Sequence, residues 1–317
     1  MSNPIDIKTK KIIQIKTNTK FDRALVLDNL HANLISHYDT WGSFQQSWTN
    51  KAYKTFKDFD KYIVMMFLIR NYWQNLADKF TYLSKDEFYD LEQVIIEKIN
   101  LIHISTELNI PKETIRRKVN ELQESGILVR EGKSIMFNKR GMNYQKPENT
   151  VLILSKFIEK KSNLLHGNDW FGEPLKQKAI EEFINKYFTV VWLRFFKLQI
   201  PFLIRHRNVF RDLETWIVWG NVALNQQSYL RKKADKDLIY DDMIRSNSYY
   251  KNISSLKIEH GINASSIADI SNIPRATVIR KLKWLTKQNC IKKNKNLEYQ
   301  MNDTGKLNKE IANNFML

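Results

Sequence analysis

Apolar positions follow the same succession of rhythms at two places in the chain. Val278, Leu282 and Leu285 fall at i, i+4 and i+7 and make one buried stripe of a helix that begins near Ile273-Pro274. Before it, SSIADISN predicts a shorter helix, with Ile267 and Ile270 on its apolar face and Ser265-Ser266 as its cap. Asn272 suits the left-handed residue that closes such a helix, and Pro274 suits the first turn of the next, where an N–H has no intrahelical partner. The other place reads alike. Ile104 and Leu108 belong to a short helix, Ile110-Pro111 to a turn, and Ile115, Val119 and Leu122 to a long helix stopped by Ser125-Gly126. After each long helix the period shortens. Residues 127–129 and 135–137 predict two short strands around a Gly132-Lys133 turn, and residues 289–305, NCIKKNKNLEYQMNDTG, repeat the arrangement.

The two places are copies. Residues 99–122 and 262–285 are identical at ten of 24 positions without a gap, at an offset of 163. The identities include Asn109/Asn272, Pro111/Pro274, Arg117/Arg280 and Lys118/Lys281, which marks an internal duplication. Upstream, KYIVMMFLI at 61–69 echoes TWIVWGNVA at 215–223. The predicted organisation is a mobile basic arm over 1–20, a helical region with the first module over 21–145 (module at about 99–141), and a second over 146–317 (module at about 250–305). Residues 306–317 predict a terminal helix. The fold class expected is mainly α: two winged helix-turn-helix modules with small β-hairpin wings, embedded in helices.

Charge gives this fold a purpose. The net charge is +17, which favours a polyanionic partner. A helix that reads double-stranded DNA must lie in the major groove with its outer side facing base edges, and a cationic hairpin beside it adds a second contact. On the first long helix the outward candidates are Lys112, Thr114, Arg116, Arg117 and Asn120; on the second they are Arg275, Thr277, Arg280, Lys281 and Lys283. The wing candidates are Arg130 and Lys133, then Lys292, Lys293 and Lys295. Glu113 lies near the reading edge, while Glu121 and Glu124 are expected to face away from DNA.

Other chemistries find little in the chain. The single cysteine, Cys290, cannot form an intrachain disulfide, and the six histidines lack metal-ligand spacing. With no phosphate loop, nucleophile elbow or paired-carboxylate motif, neither an enzyme nor a cofactor or metal is expected. The most apolar stretch, 187–204, is interrupted by Arg194 and Lys197 and predicts a buried helix; the N-terminus lacks the apolar core of a signal peptide. A cytoplasmic, nucleoid-associated protein without a membrane partner is expected.

The stretches IPKETIRRKVNELQESGIL and IPRATVIRKLKWLTKQNCI resemble the turn, recognition helix and wing entry of bacterial winged helix-turn-helix regulators of the MarR and IclR types, here in tandem. FNKRG and MNDTG are similar to the strand-to-helix exit of the MarR type. The likeness covers about 45 residues per copy; the wings lack that family's longer loop with an Asp-x-Arg pair, so minor-groove insertion by a wing-tip Arg is not carried over. The resemblance implies two fused subunits, a monomer acting as a pseudo-dimer or a homodimer. It also allows a small-molecule effector among Tyr62, Phe67, Tyr72, Trp73, Trp192, Phe195, Phe196, Trp216 and Trp219, which otherwise form core. The function expected is transcriptional regulation by reading two half-sites in double-stranded DNA, about 34 Å apart. The alternatives are a plasmid- or phage-type replication initiator with tandem winged helices, an architectural DNA-binding protein, or a protein-interaction scaffold that binds no duplex.

Overall fold

The computed structural model describes residues 24, 28–30, 34–96, 100–131, 134–144, 149–165, 173–237 and 260–302. The expected basic arm, the Gly132-Lys133 turn and the expected terminal helix lie outside the described residues. The fold is mainly α with a small antiparallel sheet content. Packing in space divides it into two compact units, each drawing on both sequence halves: one from Asp60–Ser155 and Lys176–Ile204, the other from Lys20–Phe59, Lys156–Leu175 and Arg205–Leu317.

The first unit contains α2 (Phe59–Asp78), α3 (Lys85–Asp90), β1 (Gln93–Ile96), α4 (Leu101–Leu108), α5 (Lys112–Glu124), β2 (Leu128–Glu131), β3 (Ser134–Asn138) and α6 (Lys139–Tyr144). It also holds α8 (Gln177–Lys186) and the start of α9 (Phe188–Phe210). The capping box of Ser84 and Glu87 starts α3 by satisfying two backbone donors reciprocally. Trp73, Phe88, Phe188 and Phe196 then meet at ring-centroid distances of 5.1–6.2 Å, so α9 from the second half closes a core begun in the first. Thr189 fixes that closure, accepting a hydrogen bond from the Leu83 amide at 3.0 Å. The aromatic stripe read from the sequence is therefore mostly interior: Tyr62, Phe67, Trp73, Trp192, Phe195 and Phe196 are buried. The apolar stretch 187–204 lies in α9 from Phe188 on, and among the described residues no single helix is long and apolar enough to cross a membrane.

The sheet of this unit has the order β1-β3-β2, all antiparallel, with Val94 opposite Phe137 and Leu128 opposite Phe137 on the other side. The sequence reading found the β2–β3 hairpin and missed β1. Four residues, QVII, are too short for a period to show, and pairing with β3 rather than local pattern makes them a strand.

The second unit holds α1 (Leu34–Phe56), the end of α7 (Thr150–Leu165), the end of α9, α10 (Leu213–Asp237), α11 (Ala264–Ser271), α12 (Arg275–Lys287), β4 (Ile291–Lys293) and β5 (Tyr299–Met301). Here α1, from the first half, packs on α10, and Gln46 hydrogen-bonds Asn221. Gln226 of α10 accepts from the Met301 amide at 2.8 Å, tying the hairpin to the helix. Trp216 and Trp219 are buried against His206 and Phe210.

The duplicated helix pairs are built by the same local chemistry. Asn109 and Asn272 close the short helices in the left-handed region, at φ 48° and 59°. Asn100 and Asn263 cap their N-termini, Asn263 accepting from the Ser266 amide at 2.9 Å, so the expected Ser265-Ser266 cap is displaced upstream. Pro111 and Pro274 occupy the N-cap rather than the first turn. Ile104, Leu108, Ile115, Val119 and Leu122 are buried, as are Ile267, Val278, Leu282 and Leu285. Ile270, expected on the apolar face, is 45% exposed, because Ser271 takes the inward position and donates to the Ile267 carbonyl.

Candidate nucleic-acid interface

A helix turns about 100° per residue, so the row opposite each buried stripe can be read off directly. On α5 that row is Glu113, Arg117, Asn120 and Glu124; on α12 the matching row is Ala276, Arg280, Lys283 and Lys287, and all eight residues are exposed. The duplicated frames thus present different charge. The row on α12 carries three cations and no acid, and α12 contains no Asp or Glu at all. The row on α5 carries one cation between two glutamates, and Glu124, expected to face away, shares the outward row with Arg117 because it stands seven residues, two helical turns, beyond it.

Neighbouring ion pairs deepen the contrast. Arg116 is exposed but pairs with Glu113 at 2.8 Å, and Arg117 lies 3.8 Å from Glu121. Glu121 also receives Lys118 at 2.9 Å and Lys61 at 3.2 Å. Burial would raise its pKa, but these ammonium groups outweigh it and hold the carboxyl below the usual glutamate range. Lys112 and Asn120 remain on the surface, and Thr114 is half-buried at its edge. On the hairpin Arg130 is exposed, while Lys133 lies outside the described residues.

In the second copy Arg280 and Lys283 point outward as expected, and Arg275 is exposed with its Nε donating to the Ser265 hydroxyl at 3.0 Å. Thr277 is half-buried. The hairpin presents Lys292, Lys293 and Lys295, all exposed, with the Lys293 ammonium 5.7 Å from the Tyr299 ring centroid.

Lys281 departs from expectation. Its ammonium turns back onto Asp212, 2.5 Å away, and the side chain is 15% exposed. Position 281 is three residues after Val278 and four before Leu285, so it flanks the buried stripe rather than opposing it. Its counterpart Lys118 is likewise buried. Asp212 is held from the other side by the Thr215 amide at 2.8 Å and hydroxyl at 2.6 Å, which makes it the cap of α10. Burial would raise the pKa of Asp212, but the Lys281 and Thr215 hydrogen bonds prevail and lower it.

Two contributors were missed in the sequence. Lys287 completes the cationic row of α12, a position that counting the 100° turn from Leu285 would have found. Arg211 lies with its guanidinium carbon 5.6 Å from the centroid of Trp284 and, with Asp212, braces α12 from the turn before α10; only tertiary packing reveals it. Cys290 is buried and its thiol is pushed up to about 12, which keeps it unreactive. Among the described residues no group of three or more His, Cys, Asp or Glu could hold a metal ion.

No protein-family model, curated protein or solved structure matches this chain.

Proposed function

We propose that the protein is a double-stranded-DNA-binding transcriptional regulator in which both duplicated segments are winged helix-turn-helix modules, α5 and α12 being the recognition helices. The observation that carries this reading is the acid-free α12, with Arg280, Lys283 and Lys287 exposed in one row beside a hairpin bearing three exposed lysines. An exposed cationic row beside a cationic hairpin is the charge pattern that phosphates on either side of a major groove would attract. The frame behind the row is rigid: a buried apolar stripe, an asparagine-closed turn and the Asp212–Lys281 tie.

The two modules divide the work unequally. Module two supplies most of the phosphate attraction. Module one, with Glu113, Arg117, Asn120 and Glu124 outward, contributes less affinity and more discrimination, since a carboxylate near a base edge accepts from a cytosine or adenine amine, is repelled by guanine and thymine acceptors, and repels phosphate elsewhere. The two half-sites therefore differ in sequence.

Fluorescence anisotropy with genomic duplex selected by the full chain tests this reading. The logarithm of affinity should fall linearly with the logarithm of salt, by about 0.9 per phosphate contact, and selected sites should fall in promoters. Absence of duplex binding at low salt would overturn it.

A further inference from the structure

The hairpin of the second copy ends in an exposed leucine. Leu297 is 66% exposed and sits at φ 62°, in the left-handed region where glycine or asparagine is the usual occupant. The turn that holds it there is fixed by a closed set of hydrogen bonds. Asn294 donates its amide to the Glu298 carbonyl at 2.8 Å, and its side-chain oxygen accepts from the amides of Asn296 at 3.0 Å and Glu298 at 2.9 Å. The Leu297 amide donates to the Asn294 carbonyl at 3.1 Å. Glu298 is anchored in turn, its carboxylate accepting from the Gly261 amide at 2.9 Å and from the Asn294 side chain at 3.2 Å. Lys292, Lys293 and Lys295, all exposed, surround the tip.

A large apolar side chain kept in a disfavoured backbone conformation, out of the core, contributes nothing evident to folding. Glycine would fit the turn with less strain, and the first copy's turn, EGKS at 131–134, carries no large apolar residue. Placed on a cationic tip, such a residue suits a surface that is anionic outside and apolar within. The minor groove of duplex DNA offers phosphate rims and, between its base pairs, apolar stacked faces, and apolar wedges inserted there partly unstack a base step and bend the duplex.

We propose that Leu297 is a minor-groove wedge: the lysines of the second hairpin hold the phosphate rims while Leu297 presses between base pairs and bends the DNA away from the protein-facing groove. This rests on the DNA-binding reading above, and the partner is the same duplex that α12 engages.

The test measures bend angle, by energy transfer between dyes at the ends of a selected duplex, together with affinity and thermal stability. Wild-type chain should bend the duplex. Leu297→Gly should lose the bend and bind about tenfold more weakly, the equivalent of about 1.4 kcal/mol, while melting no lower than wild type. Leu297→Met should keep the bend. If wild type binds duplex and Leu297→Gly bends it equally, the wedge is refuted and the DNA-binding reading stands. If wild type binds no duplex, the parent reading fails and takes the wedge with it. Leu297-dependent binding to anionic phospholipid vesicles, with bending of duplex unaffected by the substitution, would also overturn the wedge.

Discussion

Lys281 and Lys283 are two residues apart on one helix, both cationic, yet packing gives them opposite surroundings. Replacing Lys281 by Met keeps most of the stem volume and removes the ammonium. An ion pair near a protein surface gains about 4 kcal/mol of gross attraction at 4 Å, much of it cancelled by desolvation. With Lys281 15% and Asp212 36% exposed, the pair is partly hydrated, so the net loss should be about 1–2 kcal/mol, a drop in melting temperature of roughly 2–8 °C. Lys283→Met, at an exposed site, should change stability by less than about 0.5 kcal/mol. Binding should show the reverse. Lys283→Met should lower the salt slope by about 0.9, and Lys281→Met should leave it unchanged. The ion pair has its own pH signature. A lowered carboxyl pKa means the unfolded chain binds more protons between the two values, so the contribution is present above the ordinary aspartate range, about 3.9, and disappears as pH falls through the folded value. The stability gap between wild type and Lys281→Met should close there. Differential scanning fluorimetry across pH, paired with anisotropy salt titrations, measures both. A Lys281→Met protein that melts with wild type and loses salt slope like Lys283→Met would refute the inward assignment.

Further expectations follow from the same packing. Arg280→Ala should weaken duplex binding by about tenfold or more, whereas Arg117→Ala, beside Glu121 and flanked by two glutamates, should cost under about threefold; equal losses in anisotropy would contradict the unequal division of labour. Gly141→Ala should destabilise the first unit by about 3 kcal/mol, since a β-carbon there would drive into the Ile127 carbonyl, and urea unfolding with an unshifted midpoint would argue against that close approach. His37, buried beside Lys161 on α7, has its pKa lowered to about 4 by burial and then by that ammonium. The unfolded chain therefore binds the extra proton between pH 4 and about 6.5, and stability should fall as pH drops through that window. His37→Gln should flatten the dependence, and urea midpoints at pH 5 and pH 7 for both proteins test it.

The duplication, the helix pairs and the hairpins are legible in the sequence because each is specified locally. A left-handed asparagine, a proline beside it and an apolar stripe act within a dozen residues, and the ten repeated identities make the pattern visible twice. Even Lys281 could have been placed by angle, since it stands one turn from Leu285 and next to the stripe. What tertiary structure alone decided is long-range. Nothing near QVII at 93–96 makes it a strand until β3 lies beside it. Nothing near Phe188 announces Trp73 and Phe88, a hundred residues or more earlier, and nothing near Lys281 announces Asp212. Apolar surface and charge are satisfied by whichever partner the whole chain brings within reach, and that choice is a property of packing that no local period records.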